Sequence, residues 1–145
     1  MTLPTWMRRA LFATAVMNIL AAAMFAPPAR GLRALAGMPE GEHPLYLATV
    51  GMFVLLFGLG YLATALAGRA DRLFVTLAAA GKASFSSLCV WYWAAGTVSG
   101  RAALMSSADL VFAILFTIWL LETRRPAAFA APAARGGVAS SPPAA

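Results

Sequence analysis

LYLATVGMFVLLFGLGYLATALA, residues 45–67, contains no charged side chain. At ~1.5 Å per residue a helix of this length rises ~35 Å, enough to cross a hydrocarbon core of ~30 Å. Its apolar residues do not alternate with polar ones, as the strands of a membrane barrel would require. Working outward, Ala10–Ala26 precedes it, and Leu73–Ala95 and Ala102–Leu121 follow. Each run meets the ~17–25 residues that a membrane-crossing helix needs. The punctuation between them is helical. Pro27-Pro28 stops the first run, Pro44 sits where a missing N–H does no harm, Gly68 ends the second, and Asp71 can cap the third. Gly96 and Gly100 frame a short turn, and Pro126 bars extension of the fourth. These features predict an all-α bundle of four transmembrane helices at 10–26, 45–67, 73–95 and 102–121, forming one membrane domain over residues 1–125. The segment 126–145, rich in Ala, Pro, Gly and Ser, is expected to be a disordered tail.

Composition excludes the alternatives. Of 145 residues, 61% are hydrophobic and only 11% charged. A water-soluble monomer of this size has no means of hiding so much apolar surface. Disorder of most of the chain is excluded because it needs low hydrophobicity. The net charge of +6 does not point to nucleic acid, since no dense Lys/Arg stretch occurs and all basic residues but Lys82 lie between or beyond the apolar runs. The single cysteine, Cys89, permits no intrachain disulfide. The first run departs from a cleavable leader: it is longer than ~7–15 residues, and Met24 and Phe25 stand where small residues are wanted. It is expected to remain as a membrane helix.

Basic residues set orientation. Arg8, Arg9, Arg69, Arg72, Arg124, Arg125 and Arg135 fall on one side, and Arg30, Arg33 and Arg101 on the other. Both termini are therefore expected in the cytoplasm. Residues 27–44 form an external loop, within which GLRALAG (31–37) reads as a short interfacial helix.

Three polar residues lie at membrane depth. Lys82, near mid-span, costs ~2.5–3.5 kcal/mol to insert and usually faces a partner or a wet cavity; the plainer reading is a stem that snorkels to the interface. The third and fourth runs are joined by a short turn and should be antiparallel neighbours. Counted from the aromatic belt Trp91-Tyr92-Trp93, Lys82 is ~14 Å deep and Asp109 ~10 Å, so a lysine side chain bridges the difference. Asn18, midway along the first run, matches that depth; an intramembrane asparagine more often joins helices than binds a ligand. Phe85, Ser86, Phe112 and Phe116 share helix faces with the pair and form candidate walls of a pocket for an amphipathic molecule such as a quinone or lipid, although aromatic residues at helical spacing are more often plain packing. Small residues at 60, 64 and 68 and at 76, 80 and 84, together with Gly51 and Gly58, are expected to permit close helix approach. Glu40, Glu42 and His43 make a weak metal-ligand set, so no metal is expected. Nor is a cofactor or catalytic residue: no nucleophile–base pair, phosphate loop or CxxC occurs, and no histidine at depth is present to ligate haem.

As far as Leu121 the chain resembles the small four-helix bacterial membrane proteins of the DoxX-like kind. The likeness is carried by a Gly-rich second helix (GMFVLLFGLGYL, 51–62), a basic residue after glycine in the third (Gly81-Lys82), and Asp109 ahead of an apolar stretch in the fourth (DLVFAILF, 109–116). The long external loop and the Pro/Ala tail depart from it. The resemblance implies the fold and little about function. The functional expectation is a non-enzymatic accessory or assembly subunit of a bacterial inner-membrane complex, or a self-associating protein, with the bilayer and other membrane subunits as partners. The alternative is a binder or carrier of a small amphipathic molecule, using Asn18, Lys82 and Asp109.

Overall fold

A computed structural model describes residues 2–38 and 43–124. The tail expected at 126–145, and Glu40 and Glu42, lie outside these residues. Five helices occur in the order α1 (Thr5–Met24), α2 (Arg30–Ala36), α3 (Pro44–Ala67), α4 (Arg72–Ala94) and α5 (Gly100–Glu122). Four of them, α1, α3, α4 and α5, are long and apolar enough to cross a membrane. The protein is a multi-pass, four-helix membrane bundle, with no β-strand among the described residues beyond an isolated Thr2–Arg69 bridge.

Local chemistry sets the ends. α1 begins at Thr5, five residues ahead of the apolar run, because Pro4 supplies the extended N-cap and the helix continues through Arg8 and Arg9. Pro44 opens α3, and Gly68 closes it in the left-handed conformation at φ 64°. Asp71 Oδ1 accepts from Phe74 N at 3.1 Å to cap α4, and Ser99 Oγ accepts from Ala102 N at 3.3 Å to cap α5. Helix C-termini expose unpaired carbonyls and a partial negative charge, and three arginines meet them from other helices. Arg33 on α2, almost fully buried, donates to Met24 O, Ala26 O and Pro27 O at 2.9, 2.8 and 3.3 Å, closing the end of α1. Arg8 Nε donates to Ala65 O at 2.7 Å in the last turn of α3. Arg72 donates to Leu120 O at 3.0 Å and to Thr123 Oγ1, holding the end of α5.

The bundle is built from two antiparallel pairs, α1 with α3 and α4 with α5. In the first, a Cβ added at Gly58 would lie 3.1 Å from Asn18 Cβ and from Ile19 Cγ1, and one at Gly51 would lie 2.9 Å from Phe25 Cβ. At those two glycines, seven residues apart, α3 packs tightly against α1. The predicted stripe at 60, 64 and 68 is only partly buried, and Thr76, Ala80 and Ser84 are exposed. Core positions instead alternate by three and four residues: Met7, Leu11 and Thr14 lead to Asn18; Gly51, Gly58, Tyr61 and Ala65 line α3; Val75, Ala79, Lys82 and Ser86 line α4; Ala102, Ser106, Asp109, Ala113 and Phe116 line α5. This is the spacing of left-handed helix packing, the commonest geometry in membrane bundles.

Candidate functional site: a polar cluster at mid-span

Lys82, Asp109 and Asn18 each occupy one position of their helix's core stripe, so the packing that closes the bundle also brings them together. Antiparallel register aligns Arg72 with Leu120, Lys82 with Asp109 and Trp93 with Gly100. Lys82 Nζ forms a salt bridge with Asp109 Oδ1 and donates to Asn18 Oδ1 at 3.2 Å. Asn18 Nδ2 donates onward to Val54 O on α3 at 3.4 Å. The ammonium also lies 5.6 Å from the Tyr61 ring centroid and 5.5 Å from that of Phe112. An ammonium has three donors and no acceptor. Two of those donors are taken by oxygen atoms, and the aromatic faces, whose quadrupoles attract cations, flank the charge.

Lys82 is 6% exposed and the Asp109 side chain 18%. Lys82 is thus held inside the bundle by its partners and does not snorkel. Of the other residues singled out in sequence, Ser86 and Phe116 are buried and Phe112 is half-buried against the lysine, whereas Phe85 is 43% exposed on the outer surface. Cys89 is half-buried and free. His43 is exposed, and its Nδ1 accepts from Leu45 N at 3.2 Å as the α3 cap. Among the described residues no three His, Cys, Asp or Glu side chains converge as metal ligands.

Sequence reasoning missed Tyr61. It is 2% exposed, and its ring meets Phe57, Phe74 and Phe116 at centroid distances of 6.1, 5.6 and 5.9 Å. It therefore joins α3 to α4 and α5 while facing the lysine. The legible signal was spacing, since Tyr61 follows Gly51 and Gly58 along the same three-and-four alternation.

Two surface clefts open between α1 and α3. One, of about 440 Å³, lies at the Arg8–Ala65 end. The other, of about 430 Å³, lies around Phe25 and Gly51. Neither is lined by Asn18, Lys82 or Asp109. Chemically the cluster neutralises its own charge, ties α1, α3, α4 and α5 together, and leaves one carboxylate partly accessible. Comparisons with protein-family models, with curated proteins and with solved structures find no match.

Proposed function

We propose that the protein is a small non-enzymatic subunit of a bacterial inner membrane, in layout like the DoxX-like proteins, that associates through its helices with itself or with other membrane subunits. Its arginine-rich end faces the cytoplasm. One observation carries this reading. Thr76, Ala80, Gly81 and Ser84 are exposed on one side of α4, which they share with Leu73 and Leu77, and a Cβ added at Gly81 would touch nothing within 4 Å. Small residues at helical spacing allow close backbone approach in lipid, where the hydrophobic effect drives no association between helices. On this reading the Lys82 cluster is a lock inside the bundle. The test is size measurement in mild detergent, by light scattering and cross-linking, of the full chain and of Ala80→Phe. Association lost in Ala80→Phe with unchanged thermal stability supports the proposal. A full chain that is strictly monomeric and binds no other membrane subunit overturns it.

The second reading is a binder of a small amphipathic molecule at the polar cluster, favoured by the 18% exposure of the Asp109 side chain. A quinone or lipid that co-purifies with the protein and is lost in Asp109→Asn would select it.

A further inference from the structure

The cleft at the Arg8–Ala65 end has a built-in division of chemistry. Arg8 and Arg9 stand at it, and Phe12, Ala13, Ala65 and Leu66 supply apolar wall. No acidic residue lines it. It is an open groove of about 440 Å³, room for part of a lipid laid along the surface. Phe12 and Leu66 are 50% and 65% exposed on the outer surface of the bundle, so the cleft opens sideways, where acyl chains run. Arg8 is held in place by the bond from its Nε to Ala65 O, and its other guanidinium donors are uncommitted among the described residues. Guanidinium donors match phosphate oxygens in geometry and charge. Basic pockets between transmembrane helices on the cytoplasmic side are suited to anionic headgroups.

We propose that this cleft binds one anionic phospholipid, its phosphodiester held by Arg8 and Arg9 and an acyl chain laid along Phe12, Ala13 and Leu66. The site is separate from the Lys82 cluster and does not depend on what that cluster does. A basic residue near an anionic membrane surface contributes enough attraction that losing one weakens binding about 5-fold and losing two about 30-fold.

The test is native mass spectrometry of the full chain in detergent, titrated with phosphatidylglycerol or with phosphatidylcholine of the same acyl chains. The expected result is one retained phosphatidylglycerol and no comparable adduct with phosphatidylcholine. Arg9→Gln, which leaves the Arg8–Ala65 bond intact, should weaken that adduct about 5-fold, and Arg8→Gln with Arg9→Gln about 30-fold. Ala13→Trp keeps every charge but fills the apolar wall and should also lose the lipid. Arg69→Gln with Arg124→Gln removes as much charge from the same end outside the cleft and should keep it. Equal losses in that control would reduce the effect to diffuse surface charge and overturn the proposal. So would equal binding of the two lipids, or displacement of the lipid by inorganic phosphate alone.

Discussion

Removing either member of the Lys82–Asp109 pair strands a charge inside the bilayer, and the two removals should not cost the same. Breaking a buried ion pair by deleting one partner typically costs ~3–5 kcal/mol. In Asp109→Asn the ammonium that remains is 6% exposed; it keeps Asn18 and the rings of Tyr61 and Phe112, which return part of the loss. The expected destabilisation is about 3 kcal/mol. In Lys82→Met the carboxylate that remains is the less enclosed of the two, at 18% exposure, and about 2 kcal/mol is expected. The double variant carries no stranded charge, although Asn18 loses its donor, and should cost about 2 kcal/mol. The coupling is then about 3 kcal/mol, within the range of close charge pairs. Reversible unfolding by sodium dodecyl sulfate from mild-detergent micelles provides the assay, read by tryptophan fluorescence. Trp119 is fully buried and reports on loss of the core. Additivity of the two single changes to within ~0.5 kcal/mol would refute the idea that each charge is tolerated because of the other.

Three further outcomes can be checked. Gly58→Val should destabilise by about 1–3 kcal/mol in the same unfolding assay, because its side chain meets Asn18 and Ile19 at the α1–α3 contact, whereas Gly81→Ala should be neutral or stabilise by up to about 1 kcal/mol. Thr14 is fully buried and its Oγ1 has no hydrogen-bond partner, so Thr14→Val should raise stability by about 1 kcal/mol; a loss of stability would mean that the hydroxyl is satisfied. A topology reporter fused after Leu121 should behave as cytoplasmic and one inserted near Gly41 as external; both on one side would exclude four spans with this orientation.

The four spans were legible because bilayer thickness imposes a length on apolar runs, and the Pro, Gly and Asp stops fall between them. The neighbouring of Lys82 and Asp109 was legible too, since a short turn fixes register and depth follows from counting residues. Which face of each helix turns inward was not. In water a helix reveals its inner face by contrast, but in lipid the outer face is as apolar as the core. Stripes spaced by four at 60, 64 and 68 and at 76, 80 and 84 therefore looked as good as the true ones, and Phe85 looked as inward as Ser86. Tyr61 was overlooked as one aromatic residue in an apolar run, although it continues the spacing of Gly51 and Gly58. Arg33 was counted only as an orientation charge, although its burial against the end of α1 gives it a packing role that no local pattern announces.

The division into two helix pairs has a consequence for how the chain is made. Lys82 and Asp109 belong to the same pair and are 27 residues apart, so the carboxylate emerges from the ribosome soon after the lysine. The insertion penalty of a lone lysine, ~2.5–3.5 kcal/mol, weighs on α4 only until α5 follows. By then α1 and α3 are already in the bilayer, offering Asn18 and Tyr61 as a prepared surface. Docking of the second hairpin onto the first is thus assembly between two units with no unpaired charge at the depth of Lys82. A gene cut between α3 and α4 should yield two fragments able to rejoin in the membrane, whereas a cut between α4 and α5 would release α4 with its lysine unpaired.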